Sequence, residues 1–167
     1  MNKCLIIVQR SLYSIVWAGV TAGVLSTLIQ VLLWLIFTDN FPDILYRDAR
    51  LTAAILMGHS ALPPPASFNL GIVVVATLIH FSLSIVYVAS LAFMDAWLKG
   101  VPIIWVGVSF GVVLYVVNLY GFTEIFPWFA QTRGWITLIA HGVFGVVAIS
   151  VYRCLNITDG RPPADVH

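Results

Sequence analysis

The chain has few charged residues: only 9% of its 167 residues are Asp, Glu, Lys or Arg, whereas 60% are hydrophobic. A soluble domain carries roughly 25% charged and about 45–50% apolar residues. The 8 basic and 7 acidic residues give neither the basic surface of a nucleic-acid-binding protein nor the charge excess of a disordered chain. This composition excludes both classes, together with water-soluble enzyme folds. It predicts a membrane protein that contacts lipid and binds no nucleic acid.

Lys, Arg, Asp and Glu are absent from four long apolar stretches. A helix needs about 20 apolar residues to cross a hydrocarbon core about 30 Å thick. The sequence therefore predicts an all-α polytopic membrane protein, in which residues 1–167 form one four-transmembrane-helix bundle. The first stretch is longer than the apolar region of a secretory signal and is expected to be retained. The four stretches are Leu12–Phe37, Leu70–Met94, Val101–Phe122 and Gly134–Tyr152.

The basic residues predict the orientation of these spans. With an even number of spans both termini lie on one side, and the side with more Lys and Arg is expected to be cytoplasmic. Cys4 and Cys154 then lie near reducing cytoplasm, which predicts thiols rather than a disulfide. The terminal side carries Lys3, Arg10, Lys99, Arg153 and Arg161, and the other side carries Arg47, Arg50 and Arg133.

A long loop, residues 38–69, separates the first two spans. Pro42 and the run Pro63–Pro65 bracket the segment Asp43–Gly58, whose apolar and charged residues recur at roughly helical spacing. We expect a short interfacial helix on the outer membrane surface. The alternative is a re-entrant segment that dips between the spans, which requires its backbone to be buried in protein.

Each span carries small and polar residues at helical spacing. Because lipid gives no hydrophobic drive for helices to associate, such residues mark the packed faces. Four stripes of the same kind indicate one compact bundle. The glycines expected at helix-packing positions are Gly19, Gly23, Gly107, Gly111 and Gly145.

Polar residues inside the spans are candidates for function, because they are unfavourable in hydrocarbon unless paired. Gln30 and Asn118 are typical of hydrogen bonds between helices. Ser84 and Tyr87 follow His80 on the same stripe of the second span. The intramembrane candidates are therefore His80, His141, Gln30, Asn118, Tyr87 and Ser84.

His80 and His141 lie at similar depths, about 4–5 Å apart along the bundle axis at 1.5 Å per residue. Such a pair has three interpretations. Ordinary hydrogen-bonded packing is the usual fate of polar groups in a membrane. A proton relay is the second, because imidazole changes charge near neutral pH. Ligation of haem b or a metal ion is the third; otherwise no cofactor is expected.

Three motifs carry a resemblance to a known family. They are His80-x-x-x-Ser84-Ile85-Val86-Tyr87, Trp105-x-Gly107-x-x-x-Gly111, and His141 followed by a closing aromatic residue and Arg153. Through them, about half of the chain resembles the YagU-like family of small bacterial inner-membrane proteins. The resemblance implies a bacterial inner-membrane location and a link with acid resistance. Similar chains are sometimes labelled sodium:proline symporters, but four short spans lack the inverted repeats and broken helices of such transporters.

Three functions remain open. The first is association through helices, as an accessory subunit of a larger membrane complex or as a homo-oligomer. The second is a small proton-handling or transport protein that uses His80 and His141. The third is a bis-histidine haem or metal carrier in electron transfer. No serine has acidic and histidine partners at a common depth, so no enzyme is predicted.

Overall fold

The computed structural model describes residues 2–95, 97–98 and 100–159, and no strand occurs among them. Four helices in this part of the chain are long and apolar enough to cross a membrane. The prediction of an all-helical chain with four candidate spans is therefore confirmed. In chain order the α-helices are α1 (Asn2–Phe37), α2 (Asp43–Met57), α3 (Leu70–Asp95), α4 (Ile103–Val116) and α5 (Trp135–Asp159).

Some of the residues on which the predicted orientation and thiols depend are not described, or are described only in part. Lys99 and Arg161 lie outside the described residues, and for Lys3, Cys4 and Arg10 only the helical backbone is described.

The ends of the helices coincide with residues that cap or interrupt helical hydrogen bonding. The side chain of Asn69 accepts a hydrogen bond from the backbone N–H of Ile72 at 3.1 Å, which caps the start of α3. Gly58 follows α2 with a φ of 69°, a left-handed conformation that suits glycine. Pro102 precedes α4, which therefore begins at Ile103, two residues after the start of the predicted span.

The third candidate span does not end as an α-helix. A π-helical turn, Val117–Gly121, continues α4, and two 3₁₀ segments follow at Phe122–Glu124 and Pro127–Thr132. A π turn widens the helix locally, changes the direction of the side chains it carries and is frequent at functional sites. Asn118 lies in this turn.

The four spanning helices form a ring. α1 packs against both α3 and α5, and α5 packs against α4. Between α3 and the π turn, the hydroxyl of Tyr87 donates a hydrogen bond of 2.6 Å to Asn118 Oδ1. A polar contact thus joins the two elements at which the ring closes.

One end of the ring is filled with apolar side chains. We call it the terminal end, because α1 begins and α5 ends there. Small residues of α1 pack there against larger side chains of the other three spans. An ion pair of 2.9 Å between Arg153 and Asp95 joins α5 to the end of α3. The buried cluster comprises Ala18, Ala22, Val88, Leu91, Val106, Phe110, Leu114, Phe144, Ala148 and Ile149.

The opposite end, which we call the loop end, is covered by α2. Ala53 and Ala54 of α2 pack against Ile72 and Ala76 of α3. The indole N–H of Trp128 donates a 3.0 Å hydrogen bond to the backbone oxygen of Leu51 in α2. The predicted helical segment of the long loop is thus a helix that packs on the bundle.

Candidate functional site

A cavity of about 390 Å³ lies between the four spanning helices in the loop-end half of the ring. Side chains from α1, α3, α4 and its π turn, and α5 form its walls. Asp48, Thr52 and Ile55 of α2 complete the lining. All six polar candidates of the sequence line this one cavity: His80, His141, Gln30, Asn118, Tyr87 and Ser84.

On one wall, three helical segments are joined by a chain of hydrogen bonds. His141 Nδ1 lies 2.8 Å from the backbone oxygen of Thr137, which can only accept, so Nδ1 carries the proton. His141 Nε2 is then an acceptor for the side-chain amide of Asn118 at 3.3 Å. Asn118 Oδ1 in turn accepts from Tyr87. Both ring nitrogens of His141 are therefore engaged.

His80 lies on α3, as Tyr87 does, and is only half engaged. Its Nε2 is 3.3 Å from the backbone oxygen of Gly23 and 3.3 Å from Thr27 Oγ1. The carbonyl oxygen can only accept, so Nε2 carries the proton and Nδ1 is left with an unshared electron pair. Within the described residues, Nδ1 has no hydrogen-bond partner.

Two further groups in the cavity have unoccupied acceptor atoms. Asp48 forms an ion pair of 2.7 Å with Arg47, but both guanidinium nitrogens contact Oδ1. Oδ2 of Asp48 and the side-chain amide of Gln30 have no partner in the described part of the chain. No buried side-chain nitrogen or oxygen atom lacks a partner among the described residues. These free atoms are therefore open to water.

Burial also changes the proton affinity of Asp48. Removal of its carboxylate from water raises the pKa of Asp48 above its ordinary value, and the positive charge of Arg47 partly opposes this effect. Asp48 is thus a partly buried acidic group at the loop end of the cavity.

Aromatic and aliphatic side chains form the rest of the wall. Phe122, Phe126 and Phe129 line the cavity from the segment between α4 and α5, and Phe144 lines it from α5. None of the described residues that line the cavity is Lys or Arg. The cavity therefore combines an apolar surface with polar groups that can accept hydrogen bonds or protons.

The five glycines singled out in the sequence lie where helices meet. A Cβ on Gly19 would lie 2.9 Å from Ile85 Cα, and one on Gly23 would lie 3.1 Å from His80 Nε2. Gly23 therefore leaves the space that the imidazole of His80 occupies. Between α4 and α5, a Cβ on any of three further glycines would overlap the facing backbone: Gly107, Gly111 and Gly145.

Haem or metal ligation requires a free ring nitrogen on each histidine. His141 has none, because Asn118 and the Thr137 carbonyl occupy both. Groups of three or more potential metal ligands are absent from the described residues. As arranged in the structure, the two histidines do not fit a bis-histidine haem without disruption of the Asn118 network.

Sequence reasoning missed the contribution of α2 to the cavity. The spacing of charged residues in Asp43–Gly58 predicts only a surface helix and does not indicate that Asp48 lines a cavity. Its position beside the cavity follows from the packing of Ala53 and Ala54 on α3, and this small-residue pair was the one available signal. Comparison of the chain with family models, curated proteins and solved structures found no match, so the cavity itself is the basis for a functional assignment.

Proposed function

We propose that this chain is a small proton-handling transport protein of the bacterial inner membrane, with both termini in the cytoplasm and the loop end outside. The observation that carries the proposal is that His80 and His141 line one cavity between the spanning helices. Histidine is the side chain that changes charge near neutral pH. In this orientation, protons reach the cavity from the outer side.

His80 is the first proton acceptor in the proposal. Its Nδ1 has a free electron pair, whereas its N–H at Nε2 is bonded to the Gly23 carbonyl. Uptake of a proton at Nδ1 leaves that bond intact and creates an imidazolium. The imidazole of His80 therefore becomes positively charged while its hydrogen bond to the Gly23 carbonyl keeps it in place.

His141 accepts a proton only if its neighbours rearrange. Protonation of Nε2 would place an N–H against the amide N–H of Asn118. Rotation of the Asn118 amide by half a turn presents Oδ1 to His141 and the NH₂ group to the oxygen of Tyr87. The hydrogen-bond chain then runs in the opposite direction with every member bonded. This reversibility lets His141 take up and release a proton at Nε2 while Asn118 stays bonded to it.

Release of the proton at the terminal end requires a second conformation of the protein. The apolar core at the terminal end, with Val88, Phe110 and Ile149 buried, separates the cavity from that side. The Asp95–Arg153 ion pair joins α3 and α5 beyond this core. In the proposal these helices separate at the terminal end when the cavity has taken up its proton.

The association hypothesis receives less support. Small-residue faces left exposed after the bundle is built would support it, but Gly19, Gly107 and Gly145 are used in contacts within the chain. They do not supply a face for another subunit. We further infer that α2 lies at the outer membrane surface, since Leu56 and Met57 at its end are exposed apolar side chains.

Proton flux into liposomes tests the proposed function. The purified chain is reconstituted into vesicles that enclose a pH-sensitive dye, and an inward pH gradient is imposed. We expect the wild-type chain to dissipate the gradient and the double variant His80→Gln, His141→Gln to lose this activity, because glutamine has no proton-accepting lone pair of comparable basicity.

His59→Gln is the matched control. His59 is exposed, contacts the ring of Trp128 with centroids 5.5 Å apart, and is not among the residues that line the cavity. This variant is expected to retain the wild-type flux. Undiminished flux in the double variant would contradict the proposal and assign both cavity histidines to packing.

A further inference from the structure

The unoccupied polar atoms of the cavity are mostly acceptors. His80 Nδ1 and Asp48 Oδ2 can only accept, and Gln30 offers both an acceptor and a donor group. The amide of Asn118, by contrast, is satisfied on both sides. A ligand that satisfies this site must therefore bring N–H or O–H donors.

The charge of the lining favours a cation over an anion. Asp48 is the acidic residue of the lining, and no Lys or Arg occurs among the described residues that form it. Arg47 contacts only Oδ1 of Asp48, so Oδ2 stays available to a second positive group. An anionic headgroup would meet this carboxylate without a compensating basic side chain.

The apolar part of the wall is rich in aromatic rings. Phe122, Phe126, Phe129 and Phe144 surround the polar groups. Aromatic faces attract cations and accommodate flat apolar groups. A volume of about 390 Å³ lies within the range of small-molecule sites, about 300–1,000 Å³.

We propose that the cavity binds a small organic ammonium ion with an apolar body, for which His80 Nδ1 and Asp48 Oδ2 are the free acceptor atoms. This inference rests on the proposed function and names the solute that is exchanged against protons. The apolar body lies against the phenylalanine side chains. The N–H groups of the ammonium ion supply the hydrogen-bond donors that these acceptor atoms do not find within the described residues.

The ammonium ion and the proton compete for the same electron pair. Protonation of His80 at Nδ1 converts the acceptor into a donor and adds a positive charge that repels the ligand. The other titratable groups of the cavity are Asp48 on α2, His141 on α5 and Tyr87 on α3, and Arg47 is paired with Asp48. The described lining residues of α1, and those between α4 and α5, include no titratable side chain.

Binding of phenethylammonium to the purified chain in detergent, measured by titration calorimetry at several pH values, tests this inference. With one competing proton, the affinity is expected to fall by up to about tenfold per pH unit on the acidic side of the His80 titration. Phenethyl alcohol, a neutral analogue of similar shape, is expected to bind more weakly and without this pH dependence. Equal, pH-independent binding of both compounds would overturn the inference.

Two variants test whether the pH dependence of binding comes from His80 and the preference for a cation from Asp48. His80→Gln keeps an acceptor but removes the titrating lone pair, so binding persists and its pH dependence becomes smaller, with only the contribution of Asp48 left. Asp48→Asn, which lies outside the spanning helices, is expected to weaken phenethylammonium binding about tenfold while phenethyl alcohol binding is unchanged. His59→Gln is the control and binds as wild type. Wild-type behaviour of both cavity variants would contradict the assignment.

Failure of this inference is distinguishable from failure of the proposed function. If phenethylammonium does not bind while histidine-dependent proton flux is observed, the ammonium site is wrong and proton handling stands. If it binds with the expected pH dependence but liposomes loaded with phenethylammonium show no proton flux, transport is wrong and the ammonium site stands.

Discussion

Asn118 is the residue through which hydrogen bonds join three segments of the bundle. Its amide accepts from Tyr87 of α3 and donates to His141 of α5, while its own backbone belongs to the π turn. An asparagine is suited to this place because it offers a donor and an acceptor on one side chain. It also keeps both partners bonded when its amide rotates.

Asn118→Leu is expected to lower the free energy of unfolding in detergent by about 1–2 kcal/mol, because two interhelical hydrogen bonds are lost. Tyr87→Phe removes only one of them and is expected to have a smaller effect. The measurement is unfolding with a denaturing detergent, followed by circular dichroism. An Asn118→Leu protein as stable as the wild type would show that the network contributes nothing to the fold.

At the scale of helices, the contact between α4 and α5 depends on the absence of side chains. The carbonyl oxygen of Gly107 lies where a Cβ of Gly145 would be, and a Cβ of Gly111 would overlap the His141 carbonyl. The two backbones therefore approach closely beside the cavity. This contact fixes the position of His141 along the bundle axis relative to α4.

Gly145→Ala is expected to destabilise the bundle by about 1–3 kcal/mol, because the added methyl group forces α4 and α5 apart. Gly142→Ala is the matched control, three residues away on the same helix, since a Cβ there would meet no atom within 4 Å. The melting temperature of each variant in detergent is the measurement. Equal melting temperatures of the two variants would contradict the close contact.

The helices are predictable from the sequence to different degrees. Long apolar runs without charge determine the four candidate spans, because length and hydropathy are local properties. Pro42 and Gly58 likewise bound α2 closely. The π turn at Val117–Gly121 was not predicted, since its residues continue the apolar pattern of α4.

The candidate site was predictable only in part. The common depth of His80 and His141 follows from residue counts along the second and fourth spans, which run in the same direction. The contribution of Asp48 does not, because the packing of α2 on α3 is a contact between distant segments that periodicity does not encode.

The whole molecule is asymmetric along the bundle axis. The loop-end half contains the cavity and its polar groups, whereas an apolar core fills the terminal-end half. The apolar core separates the cavity from the terminal end. In the proposed transport cycle, this is the conformation in which the terminal end is closed.

The central claim is that the cavity histidines exchange protons with water. Nuclear magnetic resonance of chain labelled with ¹⁵N-histidine tests it directly, with His59 as an exposed reference and His→Gln variants for assignment. We predict that the ring nitrogens of His80 and His141 change from neutral to protonated as the pH is lowered from about 8 to about 5, the range in which histidine ordinarily changes charge. Signals of both residues that stay neutral over this range, while the protein remains folded, would contradict the account.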